Sequence, residues 1–142
     1  MATVQVVLVE DNEVDREGVR RAFRHHRIAN PILTARDGVE ALALLRGGGE
    51  AAVRRPYVVL LDLNMPRMDG FELLRAIRSD PALHDSVVFV LTTSKADEDM
   101  MAAYDLNVAG YICKSDVGAG FVRLVELLDH YWRVVELPRE AR

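Results

Sequence analysis

The sequence alternates between short apolar runs and segments with helical periodicity, and this alternation constrains the fold more than any other feature. The five apolar runs read TVQVVLVED, PILTAR, YVVLLDL, SVVFVLTTS and AGYIC. Each is followed by a segment in which apolar residues recur three or four positions apart. Because parallel strands need a crossover connection, which a helix supplies, the pattern predicts an α/β fold: a doubly wound, five-stranded parallel sheet with (βα)5 chain order.

Composition narrows the class of protein. The 142 residues fit one domain, and the formal net charge of -4 argues against a general nucleic-acid binder. Cys113 is the only cysteine, so no disulfide can form within the chain, which suits a reducing cytoplasm. No apolar run has the length of a membrane span. We therefore expect a cytoplasmic protein that binds neither nucleic acid nor a membrane.

Three acidic residues end two of the predicted strands. Glu10 and Asp11 follow the first run, and Asp62 follows the five residues YVVLL. In an open parallel sheet, ligands bind beyond the C-terminal strand ends where the strand order reverses, and in the order 2-1-3-4-5 the first and third strands are neighbours there. Three carboxylates in one crevice repel one another unless a cation joins them, and oxygen ligands suit Mg²⁺ or Mn²⁺.

Two further polar residues stand at the same predicted edge of the sheet. Thr92 closes the fourth run, and Lys114 follows the fifth. A hydroxyl and an ammonium can bind the oxygens of a phosphoryl group beside a metal ion, and a carboxylate can be the nucleophile that forms an aspartyl phosphate. Taken singly, each such residue is more often a helix cap, a turn residue or a solvated side chain. Their shared position at strand ends favours a functional site.

The motifs that contain these residues resemble the receiver domain of two-component response regulators. They are LVEDN with Glu10 and Asp11, LLDLNMPRMDG with Asp62, VLTTS with Thr92, and GYICKS with Tyr111 and Lys114. The resemblance extends from about Val4 to Val135. It implies the flavodoxin-like strand order 2-1-3-4-5 in a single receiver domain over 1–135, followed by a short C-terminal tail over 136–142 and no output domain.

The resemblance also implies how the site works. Asp62 is the expected phosphoacceptor, and a phosphohistidine on a sensor histidine kinase is the expected donor. The implied ligands of Mg²⁺ are Asp11, Asp62 and the backbone carbonyl of Asn64, with Glu10 bound through a water molecule. The chain is then not an enzyme acting on a separate substrate, because it only accepts and hydrolyses its own phosphoryl group.

Two residues are expected to carry the conformational switch. By the same resemblance, Thr92 and Lys114 bind the phosphoryl oxygens. Thr92 moves toward the new phosphate, and Tyr111 swings inward behind it. The added phosphoryl group supplies the difference in contacts that a two-state switch requires.

The chain is further similar to single-domain regulators that pair with phytochrome-type sensor kinases. The similarity rests on LTTSKADEDMMAAYDLNVAGYICKSD, on the glycine-rich loop before RRPYVVLLDLNMP, and on YWRVVELP. It implies a sensor histidine kinase as partner, with a phytochrome-type kinase as one candidate. Two residues depart from the common pattern: Glu10 replaces Asp, and Ser115 replaces a cis proline. Since a non-proline cis bond costs about 3–4 kcal/mol, we expect a trans Lys114–Ser115 bond.

Other functions compete for the same residues. A haloacid-dehalogenase-like phosphatase also uses a nucleophilic Asp, but it needs a second Asp two residues later, where this sequence has Asn64. A flavin- or nucleotide-binding domain would carry a glycine-rich phosphate loop where EDNEVD stands. Within the receiver class, the alternatives are a phosphate sink without its own target and a degenerate receiver, which the complete set of five residues disfavours.

The last predicted helix runs from about Val117 to Val135 and is apolar over more of its surface than packing on one sheet requires. Aromatic residues are enriched at protein interfaces. We therefore expect a symmetric homodimer through this region, with Leu128, Tyr131 and Trp132 in the interface. The alternative is a terminal helix buried in its own chain, with the tail folded over it.

Overall fold

The computed structural model describes residues 3–47, 53–117 and 119–139, and these residues form five strands and five α-helices. The strands are β1 Gln5–Val9, β2 Ile32–Ala35, β3 Tyr57–Leu61, β4 Val87–Thr92 and β5 Gly110–Cys113. The helices are α1 Glu13–His25, α2 Gly38–Leu45, α3 Gly70–Ser79, α4 Asp97–Asp105 and α5 Val122–Val134. The sheet is parallel throughout, in the order β2-β1-β3-β4-β5. The predicted fold and strand order are confirmed.

The sheet is covered on both faces, which explains why β3 reads as an unbroken apolar run. Every residue of β3 is buried, and successive side chains point to opposite faces. Val59 and Leu61 pack in one core cluster with α2 and α3, whereas Val58 and Leu60 pack in the other with α1 and α5. Full burial of each such side chain stabilises the fold by about 1.5–3 kcal/mol.

Side-chain caps begin the helices that follow β1, β2 and β3. Asn12 accepts a hydrogen bond from the N–H of Asp15, and Asp37 accepts one from the N–H of Glu40. Asp69 begins α3 with a capping box. Each cap lies in the loop that follows a strand, so the caps fix where the chain turns at the C-terminal edge of the sheet.

The last helix is shorter than predicted. It begins at Val122 because Gly120 and Phe121 have φ values of 72° and 59°, in the left-handed region that ends helical geometry. A short 3₁₀ turn, Lys114–Asp116, follows β5 before this point. The two glycines between Val117 and Phe121 were a sequence signal for this interruption that the predicted helix boundary did not use, because glycine readily adopts positive φ. Part of the predicted glycine-rich loop, at 48–52, and the end of the predicted tail, at 140–142, lie outside the described residues.

The apolar breadth of α5 is largely explained by packing within the chain. Leu128 is fully buried, so its predicted place in a dimer interface is wrong. The Tyr131 ring meets Phe89 edge-on, with centroids 4.9 Å apart, and the Trp132 ring lies 6.2 Å from that of Phe23. Leu137, in the predicted tail, is buried in the same cluster, as in the alternative of a terminal helix covered by the tail.

Candidate functional site

Three carboxylates converge at the C-terminal edge of the sheet, as predicted. β1 and β3 are neighbours with Val9 paired to Leu61, so the residues that follow them leave the sheet side by side. Carboxylate oxygens of Glu10, Asp11 and Asp62 all lie within 4.8 Å of one another. Glu10 and Asp62 are buried, whereas Asp11 is exposed. The acidic group therefore lies in a crevice with one side open to solvent.

The ammonium group of Lys114 reaches this group from the end of β5. Its Nζ donates hydrogen bonds to Glu10 and, at 2.7 Å, to Asp15 Oδ2, and it lies 3.7 Å from Asp62 Oδ2. The Lys114–Ser115 peptide bond is trans, as expected; among the described residues, the one cis peptide bond is Arg55–Pro56. The proline-free loop therefore places Lys114 in the site without a cis bond.

Burial and charge set the protonation states of this pair. Burial raises the pKa of Glu10 to about 7; the Lys114 hydrogen bond opposes the rise, and the negative charge of Asp62 adds to it. Burial alone would lower the pKa of Lys114, but hydrogen bonds to Asp15 and Glu10 outweigh it, so that pKa is raised and the ammonium stays charged. A buried carboxylate that resists ionisation beside two more carboxylates, all hard oxygen donors, fits a divalent cation. The cluster can therefore hold a divalent metal ion.

Thr92 and Tyr111 meet at the loop after β4. The Thr92 side chain is fully buried, and its Oγ1 accepts a hydrogen bond of 3.4 Å from the N–H of Ser94. The Tyr111 hydroxyl donates to the carbonyl oxygen of Ser94 at 2.9 Å. The two predicted switch residues therefore share a hydrogen-bond partner, Ser94, in one loop.

The loop after β3 carries Asn64 close to Asp62. The Asn64 side chain is exposed, and its N–H approaches Asp62 Oδ1 at 3.4 Å. Further along, α3 packs tightly against the end of β3: a Cβ on Gly70 would lie 2.5 Å from the Asp62 carbonyl oxygen and 2.6 Å from Leu63 Cα. This close approach explains why glycine follows the capping Asp69.

Sequence reasoning did not identify two residues of α1 that contact the site. Asp15 binds Lys114, and Arg16 donates from Nη1 to the Glu10 carbonyl oxygen at 2.7 Å. Both lie in the first turn, three and four residues after the cap Asn12. An acid in a first helical turn is common for electrostatic reasons alone, so the pattern carried little signal. Only the position of that turn beside the strand ends could have suggested a role.

Among the described residues, no helix combines the length and apolar character that crossing a membrane requires.

Comparison with known proteins agrees with the geometry. The sequence pattern of the response regulator receiver domain matches residues 6–123. Response regulator Rcp1 of Synechocystis sp. (strain ATCC 27184 / PCC 6803 / Kazusa) is 36% identical over 135 residues, 94% of this chain and 92% of Rcp1. The crystal structure of the phosphorylated cyanobacterial phytochrome response regulator RcpA superposes with a TM-score of 0.85 at 40% identity, covering 96% of this chain and 99% of RcpA. The Mn²⁺-bound form of Rcp1 gives a TM-score of 0.82 at 36% identity, covering 96% and 99%. The chain therefore belongs to the response regulator receiver domain family.

Proposed function

We propose that this protein is a response regulator that accepts a phosphoryl group on Asp62 from a phosphohistidine of a sensor histidine kinase. The observation that carries this proposal is the buried Asp62 carboxylate, which lies at the end of β3 within 4.8 Å of the Glu10 and Asp11 carboxylates and 3.7 Å from the Lys114 ammonium. A carboxylate oxygen would attack phosphorus, and the phosphorus–nitrogen bond to the imidazole would break. Later hydrolysis of the acyl phosphate by water would return Asp62 to its resting form.

We also propose the metal ligands. Asp11, Asp62 and the backbone carbonyl of Asn64 would hold Mg²⁺, or Mn²⁺ in its place, with Glu10 acting through water. The bound ion would neutralise charge on the phosphoryl oxygens. Lys114 would bind one of these oxygens through its ammonium group, whose three donors can serve more than one acceptor.

The switch that we propose runs through Thr92 and Tyr111. The Thr92 hydroxyl would turn from Ser94 to a phosphoryl oxygen, and the β4–α4 loop would move with it. Because the Tyr111 hydroxyl is bonded to the Ser94 carbonyl, a moving loop would carry the ring along. The new phosphoryl contacts supply the free-energy difference between the two states.

A phytochrome-type sensor kinase is the partner that the comparisons favour. Support comes from the similarity to RcpA, whose structure is described as that of a phytochrome response regulator, and from the match to Rcp1 along nearly its whole length. We propose that residues 1–135 form the receiver and that signalling continues through a partner protein. A receiver that only drains phosphate from a shared kinase is the alternative. The match to the receiver family and the exposed Asn64 two residues after Asp62 leave the dehalogenase-type phosphatase without support.

We also propose a symmetric homodimer through the exposed surface of α5. The half-buried Tyr131 and Trp132 would form its edge, beside the exposed Leu127 and Val134. Light scattering at micromolar concentrations, with and without beryllofluoride, tests it. A monomeric mass in both conditions would refute the dimer.

Phosphorylation is tested with acetyl phosphate and Mg²⁺. We expect the wild type to be labelled and Asp62→Asn to lose labelling. Asp97→Asn, which removes an exposed acid from α4, is the matched control and should be labelled like the wild type. Labelling that survives Asp62→Asn, or that survives removal of divalent cations, contradicts the proposal. A phosphotransfer profile against the sensor kinases of the same organism then identifies the donor.

A further inference from the structure

Lys114 is held by Asp15, a residue outside the proposed metal and phosphoryl site, which we call its anchor. Its Nζ lies 2.7 Å from Asp15 Oδ2 in the first turn of α1 and is also bonded to Glu10. Asp62 Oδ2 is 3.7 Å away, beyond ordinary hydrogen-bond distance. Of the three carboxylates around the ammonium, the phosphoacceptor is therefore the one that Lys114 holds least closely.

The anchor is well fixed. The N–H of Asp15 donates to the Asn12 side chain at 3.0 Å, which holds its backbone at the start of α1. The Lys114 side chain is 11% exposed and that of Asp15 is 29% exposed, so their ion pair is partly shielded from water. Charge-assisted hydrogen bonds between shielded partners are stronger than neutral ones. An anion on Asp62 would have to draw Lys114 away from this partner.

We propose that Asp15 is a positioning residue, which holds Lys114 on the α1 side of the site in the unphosphorylated chain and thereby weakens binding of a phosphoryl group at Asp62. The inference rests on the proposed role of Asp62. Because an ammonium has three donors, the competition is for its position: Asp15 holds Nζ where it lies 3.7 Å from Asp62 Oδ2, and removal of the Asp15 charge lets Lys114 move toward the phosphoryl group. Asp15 thus sets how readily the receiver enters its activated state.

The test is a calorimetric titration with beryllofluoride, a phosphoryl analogue, at saturating Mg²⁺. We expect Asp15→Asn to bind it roughly fivefold tighter than the wild type, as loss of one competing charge-assisted contact predicts. Glu13→Gln removes the same charge from the same turn at an exposed position two residues earlier. It should stay within roughly twofold of the wild type. Equal affinities for wild type and Asp15→Asn, or equal gains in both variants, overturn the proposal.

A second comparison separates positioning from a general charge effect. In a Lys114→Ala background, Asp15→Asn should leave beryllofluoride affinity unchanged, because the residue through which Asp15 acts is absent. A gain of the same size in that background contradicts the proposal. If Asp15→Asn does not fold, Asp15→Ser, which removes the charge and keeps an acceptor oxygen, should show the same tightening.

The titration also separates this inference from the proposed function. If the wild type does not bind beryllofluoride, or binds it equally after Asp62→Asn, the proposed function fails. If the wild type binds it through Asp62 and Asp15→Asn does not differ, only the role of Asp15 is refuted.

Discussion

The guanidinium of Arg67 lies against the carboxylate of Asp37, with Nε 2.6 Å from Oδ2, and the contact joins two loops at the edge of the site. Asp37 caps α2 and is buried, and the neighbouring N–H of Gly38 donates to the Met68 carbonyl at 3.1 Å. Burial alone would raise the pKa of Asp37, but hydrogen bonds from the Glu40 N–H and from Arg67 outweigh it and lower the pKa. The loop that carries the proposed carbonyl ligand is thus fixed from α2.

Arg67→Ala should destabilise the protein by about 1 kcal/mol, because it leaves the buried Asp37 without its cation while the exposed Arg67 side chain limits the loss. It should also weaken Mg²⁺ binding several-fold, because the loop carrying Asn64 loses its tie to α2. Urea unfolding and Mg²⁺ titration measure the two effects. Arg133→Ala, which breaks an exposed pair with Asp129, is the control and should cost below about 0.5 kcal/mol. Equal losses in both variants would refute a special role for Arg67.

Gly70→Ala should distort the end of β3, which carries the proposed phosphoacceptor Asp62. The added Cβ would meet backbone atoms of Asp62 and Leu63, which cannot turn aside as a side chain can. We expect a loss of about 1–3 kcal/mol in urea unfolding and weaker beryllofluoride binding. Gly18→Ala, within α1, is the matched control, because the atoms nearest to its Cβ, at 2.7 and 3.1 Å, belong to the far edge of the Phe121 ring rather than to the backbone. A loss as large in the control would show that the backbone contact is not decisive.

Arg78 stabilises the opposite end of the sheet. Its guanidinium donates to four carbonyl oxygens at 2.7–3.0 Å, those of His84, Ser86, Leu106 and Asn107. Arg78→Ala should therefore cost about 2–4 kcal/mol, because four acceptors, two of them in partly buried hydrogen bonds, lose their donor at once. Arg75→Ala, on the exposed face of the same helix, should change the unfolding free energy by less than about 0.5 kcal/mol. A loss below about 1 kcal/mol, the typical net contribution of a single hydrogen bond, would contradict this role.

The sheet order and the acidic cluster could be predicted because each depends on a local pattern. Five runs with strand character, separated by helical periodicity, leave few topologies, and every parallel strand ends at the same edge. Asp62 and Lys114 are far apart in sequence, yet each directly follows a strand, so strand order alone brings their side chains together.

The remaining features depend on contacts that no short pattern records. The acceptors of Arg78 come from two loops whose approach is set by the whole sheet. Leu128 is an exception: it lies three and four residues from the buried Val125 and Leu124, so the helical spacing could have assigned it to the core. The left-handed φ of Phe121 is a conformation that non-glycine residues rarely adopt, so the exact start of α5 could not be placed, although Gly120 before it indicated a break.

Metal binding and stability should depend on pH through Glu10. Burial raises its pKa from 4.5 to about 7, so without a divalent cation the folded chain keeps a proton that the unfolded chain loses near pH 4.5. Protonated Glu10 therefore adds to the free energy of unfolding. This contribution is fully present below about pH 4.5 and is lost as the pH rises through about 7. Mg²⁺ must displace this proton, so the affinity for Mg²⁺ should increase as the pH rises toward 7.

Mg²⁺ titrations and urea unfolding over this pH range should show both trends in the wild type and in the exposed control Glu98→Gln. Glu10→Gln should flatten them, and an unchanged pH dependence in that variant would refute the assignment.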